Sequence, residues 1–280
     1  MEILKAIIYG IVEGITEWIP ISSTGHMILL SEFLTPDVSP EFWSIFLVVI
    51  QLGAIFAVVF LYWDRIWPLY WGEYEDEPGR HIMVDTDVLD LWIKVLIACI
   101  PGGVVGILAD DWLDAHFYNW QVVSTMLILV GAAFIFIEIA NRGRRAAVRD
   151  ISQISYKQAL YIGLFQLIAA IFPGTSRSGA TILGGRMLGI SRKAAADFTF
   201  ILAIPVMFGA SLLKIIKGGI HHTGAEWTML LVGMVTAFVV SIFSIRLLMR
   251  FIKRHSFIPF GLYRIALGLL VIAVFLIRAA

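Results

Sequence analysis

Two short polar segments interrupt an apolar sequence, and they carry the residues best suited to chemistry. The first, EGITEWIPISSTGH, runs from Glu13 to His26 and holds two carboxylates and, after its proline, three hydroxyl groups and an imidazole. Glu13 and Glu17 are four residues apart, so on a helix they share one face, where their like charges repel. A divalent cation, Mg²⁺ or Ca²⁺, would relieve that repulsion, and such cations prefer oxygen ligands. We therefore predict that Glu13 and Glu17 are metal ligands.

The rest of the first segment is suited to acid–base and nucleophilic chemistry. His26 can act as a general acid or base near neutral pH. Ser22, Ser23 and Thr24 are candidate nucleophiles or phosphate ligands. We favour the Ser23 hydroxyl as the attacking group, assisted by His26 or Glu17. Attack by His26 itself or by water remains an open alternative.

The second segment, FPGTSRSGAT from Phe172 to Thr181, has the residues of a phosphate-binding turn. A helix that starts after its proline would point free N–H groups at a bound anion. Arg177 can bind two phosphate oxygens at once, and an arginine within an apolar segment is costly and usually functional. We predict that Arg177 has a catalytic role and that the phosphate ligands of this segment are Ser176, Arg177, Ser178 and Thr181.

The two segments divide the chemistry between them. The first offers carboxylates and an imidazole, whereas the second offers an arginine and hydroxyl groups. Phosphoryl transfer needs both charge neutralisation and positioning. We therefore predict one composite site, and a setting within the membrane implies a lipid-linked phosphate as its substrate.

The surrounding sequence predicts an all-α polytopic membrane protein. The chain has 280 residues, of which 59% are hydrophobic and 15% charged, against about 45–50% and about 25% in soluble domains. The net charge is zero and Cys99 is the only cysteine, which argues against a nucleic-acid partner and excludes an internal disulfide. Six apolar runs come close to or exceed the roughly 18–20 residues of a membrane span: Phe42–Trp63, Leu91–Ala109, Val122–Ala140, Phe198–Leu213, Trp227–Met249 and Phe257–Ile277.

The two polar segments lie in parts of the chain too short to cross the membrane twice. Met1–Leu34 and Ile154–Gly189 each contain an apolar run, a polar break and a second apolar run. A broken backbone is tolerated at membrane depth where protein or a water-filled cavity surrounds it. We therefore predict two re-entrant helix–turn–helix hairpins in addition to the six spans.

The two hairpins align with each other. The alignment pairs Pro20 with Pro173, Ser22 with Thr175 and Ser23 with Ser176, and one inserted residue then pairs Gly25 with Gly179. The chain therefore looks like one integral membrane domain, 1–280, built from repeats at about 1–140 and 155–280. One hairpin and three spans per repeat would invert the second copy relative to the first and bring the two polar breaks together near the midplane.

Basic residues predict the orientation. They are concentrated in three loops, within Arg142–Lys157, at Arg192 and Lys193, and within Arg250–Arg254. The positive-inside rule places such loops in the cytoplasm. With six spans, both termini are then expected outside.

These motifs resemble those of a known family. EGITEWIPISSTGH resembles the glutamate-rich motif of the undecaprenyl-diphosphate phosphatases of the bacitracin-resistance type, and PGTSRSGAT is similar to their second signature, PGxSRSxxT. IQLGAIFAVV (Ile50–Val59) and SFIPFGLYR (Ser256–Arg264) also resemble family segments. The resemblance covers nearly the whole chain. One departure is the long acidic, aromatic loop at 63–90. Its aromatic residues are typical of an interfacial aromatic belt, and the sequence leaves any further role open.

The resemblance implies a hydrolase that converts undecaprenyl diphosphate to undecaprenyl phosphate and inorganic phosphate. This reaction recycles the lipid carrier of cell-wall synthesis and accounts for bacitracin resistance. The family depends on a divalent cation, and its site is expected to open to the outer face of the cytoplasmic membrane. Its functional positions fall on Glu13, Glu17, Ser22, Ser23, His26, Ser176, Arg177, Ser178 and Thr181.

A second function is compatible with the same sequence. Inverted repeats are a transporter architecture, so the protein could carry or flip polyprenyl phosphate, instead of hydrolysis or in addition to it. The partners expected in either case are a polyprenyl lipid and the bilayer. The polyprenol length, the identity of the metal and the formation of a homodimer are left open by the sequence.

Overall fold

A computed structural model describes residues 1–74, 77–218 and 223–279, which are mainly helical. The helices are α1 Glu2–Thr16, α2 Ser23–Ser31, α3 Pro40–Ile66, α4 Thr86–Phe117, α5 Trp120–Ala140, α6 Tyr156–Ile171, α7 Arg177–Met187, α8 Arg192–Gly218, α9 Gly224–Ile252 and α10 Ile258–Ala279. A 3₁₀ turn, Ile151–Gln153, precedes α6, and two strands, β1 Leu69–Tyr74 and β2 Glu77–Val84, lie between α3 and α4.

The six predicted spans are confirmed. Within the described ranges, six helices are long and apolar enough to cross a membrane: Pro40–Ile66, Thr86–Ala109, Trp120–Ala140, Arg192–Lys217, Gly224–Ile252 and Ile258–Arg278. Most of them extend beyond the apolar runs because polar residues cap their first turns. Ser39 and Asn119 accept hydrogen bonds from the backbone N–H groups of Phe42 and Val122, at 3.1 and 2.9 Å. Such caps satisfy N–H groups that have no partner within the helix.

The acidic, aromatic loop contains a small antiparallel sheet that the sequence analysis did not foresee. Leu69 pairs with Val84, and Trp71 pairs with Ile82. Residues opposite each other or two apart along a strand share one face, so these four side chains form a single apolar face, and all of them are exposed. Residues 75 and 76, between the two strands in the sequence, lie outside the described ranges. The loop's place in an interfacial aromatic belt stays a prediction.

The two polar segments are helix–turn–helix units, as predicted. α1 and α2 have 15 and 9 residues, and α6 and α7 have 16 and 11. At 1.5 Å per residue, even the longest is about 24 Å, short of the roughly 30 Å hydrocarbon core. Their length agrees with hairpins that do not span the membrane, while their re-entrant placement and opposite orientation stay predictions.

Helices of the two halves pack against each other in a reciprocal pattern. α1 packs against α9, whereas α6 packs against α4, and α5 pairs with α10. Gly10 on α1 and Gly163 on α6, which the sequence alignment pairs, both lie at these crossings: an added Cβ would come within 2.6 Å of the Gly233 carbonyl oxygen and 2.4 Å of the Ala98 carbonyl oxygen. The predicted duplication implies such an exchange of partners, and the duplication itself stays a prediction.

The α5–α10 contact yields a test of the packing. A Cβ on Gly261 would lie 2.6 Å from the backbone oxygen of Gly131, and backbone cannot rotate aside. We expect Gly261→Ala to lower the thermal unfolding midpoint in detergent by about 3 °C or more, because overpacking costs about 1–3 kcal/mol. Gly224→Ala, which has open space around the new methyl group, is the control. An equal unfolding midpoint for the two variants would contradict the close approach of the α5 and α10 backbones.

Candidate active site

The two turns share an unusual backbone conformation. Ser22 and Ser176 have φ of 75° and 69°, and they are the only non-glycine residues with positive φ in the described part of the chain. Each precedes a short helix, and its side chain accepts a hydrogen bond from the backbone N–H three residues later, Gly25 at 3.3 Å and Gly179 at 3.1 Å. Such strained conformations are typical of functional sites.

This cap geometry corrects the sequence alignment by one residue. The alignment paired Ser22 with Thr175 and Ser23 with Ser176, whereas the structure gives Ser22 and Ser176 the same role. Ser23 therefore corresponds to Arg177, since each is the first residue of its short helix. The inserted residue lies before the cap, where the two turns differ in sequence.

Glu17 joins the two polar segments. Its Oε2 accepts a hydrogen bond from the Ser23 hydroxyl at 2.7 Å, and its Oε1 accepts one from Nη2 of Arg177 at 3.0 Å. Its backbone carbonyl accepts a third from the Ser178 hydroxyl at 3.0 Å. The structure therefore brings Glu17, Ser23 and Arg177 into one network, although Glu17 and Arg177 are 160 residues apart.

Arg177 retains a donor for a ligand. Its Nη1 donates to the Thr199 carbonyl at 3.0 Å, and its guanidinium lies 5.7 Å from the centre of the Trp18 ring. Its Nε is buried and has no hydrogen-bond partner. Because a buried unpaired donor is costly, this N–H is suited to an anion that enters the site. α7 begins at Arg177, and the backbone N–H groups at a helix start also attract anions.

The hydroxyl groups predicted to bind phosphate are engaged elsewhere. The Ser178 hydroxyl donates its hydrogen bond to the Glu17 carbonyl oxygen. In its 3.2 Å contact with Ser176, Ser178 is therefore the acceptor and the Ser176 hydroxyl is the donor. Thr181 donates to the Arg177 carbonyl at 2.9 Å and accepts from the Thr199 hydroxyl at 2.8 Å. In this arrangement the three hydroxyl groups stabilise the start of α7, and their contact with phosphate stays a prediction.

His26 is held by partners other than the network around Glu17. Its Nδ1 lies 2.7 Å from the Ser22 carbonyl oxygen and its Nε2 lies 2.8 Å from the Tyr263 hydroxyl. Since a carbonyl oxygen only accepts, Nδ1 carries the proton and Nε2 accepts from Tyr263. The Ser23 hydroxyl donates to Glu17 instead. Glu17 and His26 are the two candidates for the general base that accepts the Ser23 proton. The geometry favours Glu17, and catalysis by His26 stays a prediction.

Glu13 has the surroundings expected of a cation ligand. It is buried one helical turn before Glu17, and its Oε1 has no hydrogen-bond partner. A buried carboxylate oxygen without a partner is costly, and a bound cation would satisfy it. The described residues contain no group of three or more His, Cys, Asp or Glu that could hold a metal ion. Mg²⁺ suits such a site because it combines one or two carboxylates with substrate phosphates.

A cavity of about 1070 Å³ reaches the first polar segment. Glu13, Ser23 and Thr24 line its polar part. Most of the remaining lining is apolar and comes from α3, α4 and α8, including Trp43, Leu47, Leu96, Val206 and Leu213. An apolar cavity with a few polar groups is typical of a ligand site, and this one is suited to a lipid whose head lies at Ser23.

Arg264 is the residue whose role the sequence analysis missed. It is fully buried, and its Nη1 donates to the Pro20 carbonyl at 3.3 Å while its Nη2 donates to the carbonyls of Gly174 and Thr175 at 2.8 and 2.9 Å. It thus joins the backbones of both turns. An arginine inside the last apolar run was a usable signal, because intramembrane charges need partners.

We expect Arg264→Met to lower the free energy of unfolding by at least about 3 kcal/mol, because three buried carbonyl groups lose their donor. Arg278→Met, on the same helix, is the control. Its ion pair with Glu32 is partly exposed, and such pairs contribute less than about 1 kcal/mol. Denaturant unfolding in detergent measures both, and equal losses would refute the role of Arg264 in joining the turns.

Comparison with known proteins agrees with these features. The family model described as bacitracin resistance protein BacA matches residues 6–270. The chain is 55% identical over 278 residues to an undecaprenyl-diphosphatase of Desulfitobacterium hafniense, covering 99% of this chain and 98% of the relative. It is 56% identical over 277 residues to undecaprenyl-diphosphatase 1 of Clostridium acetobutylicum, with coverage of 99% and 98%. An undecaprenyl-diphosphatase of Enterococcus faecalis is 51% identical over 274 residues, with coverage of 98% and 97%. The chain belongs to the bacitracin resistance protein family.

Proposed function

We propose that this protein hydrolyses undecaprenyl diphosphate to undecaprenyl phosphate and inorganic phosphate, and so recycles the lipid carrier of cell-wall synthesis. The names of relatives at 51–56% identity over nearly the whole chain support this activity. The structural observation that carries the proposal is the Glu17 carboxylate, which hydrogen-bonds both Ser23 and Arg177. One group thereby connects a nucleophile to an anion-binding arginine.

Ser23 is the proposed nucleophile. As its oxygen attacks the terminal phosphorus, its proton passes to Glu17, which already accepts its hydrogen bond at 2.7 Å. The bond from the terminal phosphorus to the bridging oxygen breaks, and undecaprenyl phosphate leaves. Water then cleaves the phosphoserine ester and releases inorganic phosphate. The short hydrogen bond between nucleophile and base satisfies the geometric requirement for such assistance.

Arg177 is the proposed partner of the terminal phosphate. Its unpaired Nε and the N–H groups at the start of α7 can donate to phosphate oxygens, where negative charge develops during transfer. The buried surroundings strengthen this interaction relative to water. Glu17 orients the guanidinium before the substrate binds.

Glu13 and Glu17 are the residues that would hold a divalent cation, Mg²⁺ or Ca²⁺. When bound, the cation would neutralise charge on the diphosphate. The unpaired Oε1 of Glu13 supports this assignment.

The lipid chain is proposed to occupy the apolar cavity, with the site opening to the outer face of the cytoplasmic membrane and both termini outside. The cavity includes Tyr118, just before α5, and Ile216, near the end of α8. The basic residues Arg142 and Arg192 lie at the opposite ends of these spans. If the basic end is cytoplasmic, the cavity opens outward.

Phosphate release from undecaprenyl diphosphate by purified protein in detergent tests the activity. We expect Ser23→Ala and Arg177→Lys each to lower kcat/KM by at least about a hundredfold, since one removes the nucleophile and the other replaces a bidentate guanidinium by a point charge. Ser31→Ala is the control, because Ser31 lines the same cavity and its hydroxyl donates to the Ile28 carbonyl within α2. A protein that only transports lipid would release no phosphate in detergent. Unchanged turnover in Arg177→Lys, with protein levels equal, would refute its role.

Glu13→Gln tests the cation site separately from turnover. We expect Mg²⁺ or Ca²⁺ to raise the thermal midpoint of the unaltered protein by stabilising the folded state, and a chelator to reverse the shift. The amide keeps the shape of Glu13 but is a weak ligand, so the shift should fall by at least half. Glu41→Gln, at the start of α3 and not among the residues that line the cavity, should leave the metal-induced shift unchanged. An undiminished shift in Glu13→Gln would exclude Glu13 as a ligand.

A further inference from the structure

A second cavity, of about 820 Å³, lies where α5 ends, α8 begins and the α9–α10 connection passes. We call it the basic cavity. Seven basic side chains line it, whereas Glu138 is the one carboxylate among its lining residues. The basic side chains come from four separate parts of the chain: Arg142, Arg144, Arg186, Arg192, Lys193, Lys253 and Arg254.

The basic cavity is separate from the candidate active site. α5 runs from the neighbourhood of Tyr118, which lines the lipid cavity, to Arg142, which lines the basic cavity. α8 likewise joins Arg192 in the basic cavity to Ile216 in the lipid cavity. Both helices are spans, so the two cavities lie toward opposite faces of the membrane.

Glu138 makes the base of this cavity rigid. Its side chain is buried, its Oε1 accepts a hydrogen bond from Nε of Arg186 at 3.0 Å, and its Oε2 accepts one from Nε of Arg192 at 2.9 Å. Arg186 also donates to the Ile190 carbonyl at 2.9 Å. One carboxylate thus orients two guanidinium groups but neutralises only one positive charge.

Four of the five other basic side chains add to this excess of positive charge. Lys193 forms an ion pair with Asp197 at 3.0 Å, while Arg142, Arg144, Lys253 and Arg254 are exposed at the rim. The positive-inside rule explains why loops on one face are basic. It does not explain why side chains from separate loops converge on one concave surface around a buried carboxylate.

We propose that the basic cavity binds a phosphate group. Guanidinium groups held in place by a carboxylate are suited to bidentate recognition of phosphate oxygens, and basic pockets between membrane helices bind anionic lipid headgroups. Ile139 and Ile258 also line the cavity, so an acyl chain could lie beside it. The phosphate can belong to an anionic membrane lipid or be free inorganic phosphate, and both present the same chemistry to the arginines.

The test compares two triple variants of the full-length protein, purified and delipidated. Arg142→Gln/Lys253→Gln/Arg254→Gln removes three charges from the basic cavity. Arg145→Gln/Arg149→Gln/Lys157→Gln is the matched control, because it removes three charges from the segment between α5 and the start of α6 but none from the cavity lining. The probes are phosphatidylglycerol, phosphatidylcholine and inorganic phosphate. Native mass spectrometry measures lipid retention, and calorimetry measures phosphate binding.

We expect the unaltered protein to bind at least one of the two anionic probes more tightly than phosphatidylcholine. The cavity variant should bind it on the order of a hundredfold more weakly, since each basic side chain near an anionic headgroup contributes about a factor of five. The control variant should change by less than about threefold. Arg177→Lys should still bind the anionic probe, which would show that the basic cavity is distinct from the active site. The cavity variant should keep its phosphatase activity in detergent.

The two anionic probes identify the source of the phosphate. Tight binding of phosphatidylglycerol alone identifies a lipid headgroup, and binding of inorganic phosphate that depends on the cavity identifies the free anion. Equal losses in the cavity and control variants would overturn the proposal, because they would mean a diffuse effect of net charge. Binding of neither anionic probe above the phosphatidylcholine level would overturn it as well.

Discussion

The buried ion pair between Glu17 and Arg177 is the constraint on which the rest of the structure depends. Both side chains are nearly inaccessible to solvent, at 10% and 12% exposure. Either charge alone would be very costly in these surroundings, so the two turns that carry them must meet. The packing of α1 on α9 and of α6 on α4 brings the turns together from the two halves of the chain.

Two broken hairpins inside a membrane protein also expose backbone groups that need partners. The serine caps satisfy N–H groups at the start of α2 and α7, and Arg264 supplies donors to the carbonyls of Pro20, Gly174 and Thr175. Because these backbone groups are buried away from water, they require such internal partners. The same bonds hold Ser23 and Arg177 in position, so the stability of the turns and the geometry of the site have one origin.

The spans separate two chemically different ends of the molecule. One end has an apolar cavity that reaches Glu13 and Ser23, and the other has the basic cavity around Glu138. The ligand that we propose for each end carries phosphate, but the two ends would hold it by different means. At the first end, a few polar groups lie within an apolar cavity, whereas at the second, basic side chains outnumber the single carboxylate.

The sequence by itself determined the membrane class, the six spans and the residue types of the site, because apolar run length and intramembrane charge are local signals. The tertiary structure alone decided that Glu17 bonds both Ser23 and Arg177, that His26 bonds Tyr263, and that Arg264 joins the turns. It also corrected the pairing of Ser22 and revealed the β-hairpin. These features depend on contacts between residues up to 244 positions apart and on backbone angles at two serines, and neither leaves a periodic pattern in the sequence.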